Sequence, residues 1–155
     1  MTIGQVVVGL IAVSLIGWTS VFQSALAEDA VRLESDFGFD ETIARLRAAL
    51  EGEGFAIIAV IDHQAGAKSV GLTMPPTTVL IYGNPKGGTP LMLAAPDFAL
   101  ELPLRVLVRE GDAGKTYVVF NSAESMEGKH GLAAGMAARL APAESIIRDA
   151  VIGSR

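Results

Sequence analysis

The chain opens with an uncharged apolar run, Val6-Val7-Val8-Gly9-Leu10-Ile11-Ala12-Val13-Ser14-Leu15-Ile16-Gly17-Trp18. It matches the hydrophobic stretch of an export signal in length and is short for a membrane span. Ala25-Leu26-Ala27 then offers a small-x-small cleavage site, followed at once by Glu28-Asp29. This pattern predicts an apolar signal helix within residues 1–27, removed on export. One element departs from it, because Met1 to Gln5 carry no Lys or Arg. An uncleaved anchor is the alternative reading.

Beyond residue 28 the pattern becomes periodic. Val31, Leu33 and Ser35 alternate with Arg32 and Glu34, as in a strand with one buried face. Asp36 to Asp40 turns the chain, with Asp40 as a helix N-cap and Glu41 in the first turn. Ile43, Leu46 and Leu50 form one apolar stripe at helical spacing, and Gly52 and Gly54 end that helix. Phe55 to Ile61 is almost continuously hydrophobic, which predicts a strand at the centre of a sheet. It ends at Asp62-His63, and a short irregular or helical piece runs to about Lys68.

Thr78 to Tyr82 is a third strand of β-branched and aromatic residues. Gly83 to Gly88 reads as irregular loop, and Thr89-Pro90 reads as N-cap and first helical residue of a short helix through Ala95. Leu104–Arg109 and Thr116–Phe120 are two strands joined by a loop at Glu110–Gly114. The remainder is helical, with Met136, Leu140, Ile146, Ile147 and Val151 as core candidates and Pro142 restarting the last helix. The order predicts an α+β fold: a single, mostly antiparallel sheet with helices packed on it, formed by residues 28–155 as one domain.

Composition narrows the function. Half of the 155 residues are hydrophobic, yet all 12 Lys and Arg and all 17 Asp and Glu lie from Glu28 onward. The net charge of −5 therefore belongs to the predicted mature part. No run of Lys and Arg provides the basic footprint that nucleic-acid binding needs. Nor is there a polybasic segment for a membrane surface, so no stable membrane association is expected after cleavage. The chain has no cysteine, which excludes a disulfide framework, thiolate catalysis and Cys-ligated zinc or iron–sulfur clusters. A periplasmic or secreted domain of this kind must be stable by packing alone.

Three groups of residues are candidates for chemistry. Gly83-Asn84-Pro85-Lys86-Gly87-Gly88-Thr89 leads into a helix, where free backbone N–H groups, Lys86 and the Thr89 hydroxyl would bind an anion. It lacks the Gly-Lys-Ser/Thr of a P-loop, and a tight turn with a capping Thr is the plain structural alternative. Asp62-His63 ends a strand, where His63 would serve as general base or as a metal or haem ligand. Its structural alternative is Asp62 capping the next turn. His130 is the other histidine, and it would join His63 in a soft-metal or haem site if the fold brought them together near Met74, Met92, Met126 or Met136. Gly-x-Ser-x-Gly and His-Glu-x-x-His are absent.

Several of these segments occur together in a known family. Ile61-Asp62-His63, Ala67, Gly71-Leu72, Pro76-Thr77, Gly83 through Met92, Leu102-Pro103-Leu104-Arg105 and Lys129-His130-Gly131-Leu132 resemble the family of domains of unknown function numbered 302, DUF302. The resemblance spans about residues 30–135. Tyr82 stands where that family more usually has Phe. The resemblance implies a β-α-β4-α arrangement like the TATA-box-binding-protein superfold, and a homodimer. It implies no DNA binding, because one fold hosts unrelated functions.

The reading that follows is an exported, non-enzymatic module that binds a small ligand or a partner. Its expected pocket combines Asp62 and His63 with Asn84, Lys86 and Thr89, with Arg105 as a further ligand-binding candidate. This reading requires His63 and Asn84 to be neighbours. No cofactor is evident. The rivals are a metal or haem carrier using His63, with His130 as second ligand, and an enzyme acting on a small anionic substrate through Lys86, Thr89 and His63.

Overall fold

The structure is a computed structural model, and it describes residues 30–153. The expected export segment, residues 1–27, lies outside the described residues. Five strands form one sheet: β1 (Ala30–Glu34), β2 (Ala56–Asp62), β3 (Thr77–Gly83), β4 (Leu104–Glu110) and β5 (Thr116–Asn121). Their order is β1-β5-β4-β3-β2, and every neighbouring pair is antiparallel. The helices are α1 (Phe39–Gly52), α2 (His63–Ser69), α3 (Pro85–Ala94) and α4 (Ala141–Val151). This is the expected α+β arrangement, with two short helices, α2 and α3, set between the strands of its middle part.

Alternation along the strands decides which face is covered. Thr78, Leu80 and Tyr82 of β3, Leu104, Val106 and Val108 of β4, and Thr116, Val118 and Phe120 of β5 are buried. Helices α1 and α4 lie against each other and close this face, inserting Leu46 and Leu50 from one and Ile147 and Val151 from the other. Each fully buried side chain of this size contributes about 1.5–3 kcal/mol relative to exposure. Where hydroxyls enter the core they are satisfied: Thr42 Oγ1 and Ser35 Oγ lie 2.8 Å apart, and Ser35 Oγ also donates to the Val151 carbonyl at 3.4 Å. These contacts tie the end of β1 to α1 and α4. Of the expected C-terminal core residues, Leu140, Ile147 and Val151 are buried, and Met136 and Ile146 pack partly against the core.

Three local expectations change. Helix α1 starts at Phe39 with Gly38 as N-cap, so Asp40 sits in the first turn rather than capping. There its carboxylate, with that of Glu41, still favours the helix dipole. The Gly83–Gly88 segment is not all loop, because α3 begins at Pro85. Asn84 and Pro85 supply the cap and first-residue grammar expected five positions later at Thr89-Pro90. Pro90 lies inside the helix, where it removes one backbone donor. Strand β2 is an edge strand, not a central one. Its continuous hydrophobicity leaves Ile58 57%, Val60 46% and Ile61 41% exposed.

Candidate functional site

Strand register decides which candidate residues can meet. Ala56 pairs with Gly83, and Asp62 pairs with Thr78, so β2 and β3 run past each other in opposite directions. Asp62-His63 therefore sits at one end of the sheet and Asn84 at the other. Six residues of extended strand separate the two levels, roughly 20 Å. The expected pocket shared by His63 and Asn84 does not form.

Each strand end has its own arrangement. At the far end, Asp62 Oδ1 accepts the Ala65 N–H at 2.8 Å and caps α2. His63 is exposed at the first position of that helix. His130 is elsewhere, in the turn Lys129–Gly131, where its Nε2 lies 2.9 Å from Glu101 Oε1. Glu101 directly precedes the Leu102-Pro103 link into the start of β4, at the Asn84 end of the sheet. The two histidines thus do not converge. Among the described residues no group of three or more His, Cys, Asp or Glu side chains is placed to hold a metal ion.

At the near end, Asn84 is fully occupied in holding the backbone. Its Oδ1 accepts from Lys86 N at 2.9 Å, and its Nδ2 donates to the Gly54 carbonyl at 3.1 Å. Its own carbonyl accepts both Gly87 N and Gly88 N at 3.0 Å. Pro85 has no N–H. The first-turn amides that an anion would take are therefore already bonded, which removes the physical basis of the expected anion site. Lys86 is exposed, and Thr89 lies mid-helix rather than at the cap. Arg105 points to the opposite face of the sheet from the core, paired across from Ile81.

What this end does contain is an apolar cavity of about 550 Å³. Its floor is the start of β2 and the end of β3, with Phe55, Ile58 and Gly83. Helix α3 forms a second wall through Gly87, Thr89 and Met92. Leu102, Pro103 and Leu104 bring in the approach to β4, and Leu140 and Pro142 bring in the start of α4. Phe55 is fixed edge-on against Tyr82, with ring centroids 5.7 Å apart. Burial pushes the Tyr82 phenol far above its ordinary value, with the Glu144 carboxylate adding to the shift. Close approach of α3 to this wall depends on Gly88, where an added Cβ would come within 3.2 Å of Leu102 Cδ1. A Cβ at Gly87 would meet nothing within 4 Å. The polar groups of the lining are Glu53, Asn84, Thr89 and Arg139.

Of the expected site residues, Asn84 and Thr89 line this cavity, and Asp62, His63, Lys86, Arg105 and His130 do not. Sequence reading missed its apolar wall because Phe55, Met92, Leu102 and Leu140 carry the pattern of ordinary core residues.

The architecture is that of an α+β domain with a five-stranded antiparallel sheet and an apolar cavity at one end. The model of the domain of unknown function DUF302 matches residues 31–150, and the chain belongs to that family. It is similar to the crystal structure of an uncharacterized conserved DUF302 protein from Bacillus stearothermophilus. That likeness has a TM-score of 0.69 at 19% identity and covers 79% of this chain and 95% of that one, which bears on the fold. Among curated proteins, it is 37% identical over 109 residues to the fluoride-specific ion channel FluC 1 of Brucella suis biovar 1. A protein of the same name from Brucella abortus biovar 1 matches at the same identity. The match takes in 70% of this chain but only 43% and 40% of those proteins, so the chain spans about two fifths of their length. Among the described residues no helix is long and apolar enough to cross a membrane.

Proposed function

We propose that this protein is an exported, non-enzymatic binding module that takes a small, largely apolar ligand into the cavity beside α3. The observation that carries the reading is the cavity itself: about 550 Å³ walled by Phe55, Ile58, Met92, Leu102 and Leu140. That volume lies in the range of small-molecule sites, which are mostly apolar with a few placed polar groups. Asn84 contributes by rigidity, since its four backbone contacts hold the entrance turn of α3 against Gly54. Thr89 and Arg139 are the polar groups that orient the ligand. Export places this binding in the periplasm or outside the cell, and the exported form begins at Glu28.

The module works as a homodimer joined through β2. This strand has an open edge, no charged residue from Phe55 to Ile61, and three exposed large aliphatic side chains. Two copies pairing edge to edge would cover that surface without bringing like charges together.

The names of the curated relatives favour a second reading, in which the domain serves as an accessory to a membrane ion channel. The apolar cavity does not suit a bare fluoride ion, which would lose its hydration without an array of donors. In that reading the domain assists the channel without itself holding the ion.

The test is solvent extraction and mass spectrometry of the exported protein, beside a Gly87→Phe variant. A discrete apolar compound released from the wild type and absent from the variant is expected. Equal recovery from both overturns the cavity reading.

A further inference from the structure

Residues with the opposite alternation from the core form the second face of the sheet, and none of them is buried. The register places Ile61, Val79, Leu107 and Val119 side by side on four successive strands, with Arg32 closing the row on β1. Arg105 and Arg109 stand two positions to either side of Leu107 on β4. Tyr117, opposite Arg109, is stacked between two guanidinium groups, Arg32 at 4.0 Å and Arg109 at 4.9 Å from its ring centre. Gly111 is required by this stack, since a Cβ there would lie 2.5 Å from the Tyr117 ring.

Among the described residues none of the three arginines is ion-paired. The carboxylate that shares the face, Glu34, is neutralised by Lys115 at 2.7 Å. A chain of net charge −5 thus gathers unpaired cations around an apolar row on one face. No run in the sequence reveals this, because residues 32, 105 and 109 meet only through strand order.

We propose that this open sheet face is a docking surface for an anionic lipid bilayer. Arginine pairs with phosphate in a bidentate manner, and aromatic and aliphatic side chains beside it enter the headgroup boundary. The acidic remainder of the molecule is repelled by the same bilayer, which orients the cationic face toward it. A second copy is a poorer occupant, since face-to-face packing would oppose six unpaired arginines. The contact is reversible and salt-sensitive, because three arginines make a weak anchor. It is independent of the cavity and of its ligand.

The absence of native cysteine permits a direct test on the exported protein, from Glu28 onward. Ile61→Cys, 41% exposed on the row, carries an environment-sensitive fluorophore, and Ser145→Cys, at an exposed position of α4, carries the same label as control. Phosphatidylglycerol vesicles are expected to blue-shift the label at 61 but not at 145. High salt reverses the shift, and phosphatidylcholine vesicles do not produce it. Each of Arg32→Gln, Arg105→Gln and Arg109→Gln lowers the apparent vesicle affinity read at 61 by about fivefold. Because the exported form begins at Glu28 and lacks the N-terminal apolar segment, these differences report the sheet face alone. An equal shift at 145, an equal shift with phosphatidylcholine, or no loss in the arginine variants overturns the proposal. So does a concentration-dependent shift without vesicles at the same label on Leu107→Cys, in the middle of the row and away from the β2 edge, which would identify a second copy as the occupant of the face.

Discussion

The two ends of the β2–β3 pair use the same local device and differ in what surrounds it. At one end Asp62 leaves a strand and caps α2; at the other Asn84 leaves a strand and caps α3. Helix α2 buries none of its residues, and its cap and His63 stand in solvent. Helix α3 buries Leu91 and packs against the turn Pro96–Glu101, with the cavity between it and the sheet. A polar residue at a strand end is therefore explained first by the backbone it caps. What distinguishes the two ends is the apolar enclosure around the cap, which only the Asn84 end has.

Substitutions can break or sharpen this contrast. The largest effect is expected in the turn packed against α3, where Phe98 is fully buried. Phe98→Ala should cost about 3–5 kcal/mol in denaturant unfolding. Next comes Asn84→Ala, which removes the α3 cap and the link to Gly54, at about 1–2 kcal/mol and with loss of ligand retention. Asp62→Ala removes only a solvent-exposed cap, and should cost about 0.5–1 kcal/mol with ligand retention unchanged. A cost at Asp62 equal to that at Asn84 would erase the contrast.

Alkaline titration reports on the buried side of the same cavity wall. The Tyr82 phenol has a folded value raised above its ordinary 10.0, so its neutral form is favoured by folding. The stability it contributes is present below pH 10 and is lost as pH rises beyond it. Unfolding monitored above pH 10 should steepen in the wild type and flatten in Tyr82→Phe. Smallest of all is His63→Ala, expected to change stability by less than about 0.5 kcal/mol.

Much of the fold was legible in the sequence. Period-two alternation marks β1, β4 and β5, and the stripe with Leu46 and Leu50 marks α1. The cap role of Asp62 was one of two open readings. The start of α3 was also readable in Asn84-Pro85, but the glycines that follow drew attention to a loop. Gly87 and Gly88 take no left-handed conformation and continue the helix.

The expected neighbourhood of His63 and Asn84 failed for a topological reason. Ends of successive strands share one side in a parallel sheet, where ligand sites gather. In an antiparallel sheet they alternate, so the C-terminal ends of β2 and β3 are opposed. The edge position of β2 was hidden too, because an apolar strand reads alike at the centre and at the edge of a sheet. The cavity was the least legible feature. Its wall comes from four separate stretches of chain, of which only residues 83–92 stand out from core by composition.

Dye binding to the form expected after export, beginning at Glu28, tests the central claim most directly. 1-Anilinonaphthalene-8-sulfonate is titrated into wild type, His63→Ala and Gly87→Phe, each checked for native stability. Saturable binding of one dye per chain is predicted for wild type and His63→Ala, with loss in Gly87→Phe. Unchanged binding in Gly87→Phe, or its loss in His63→Ala, would contradict a functional cavity at the Asn84 end.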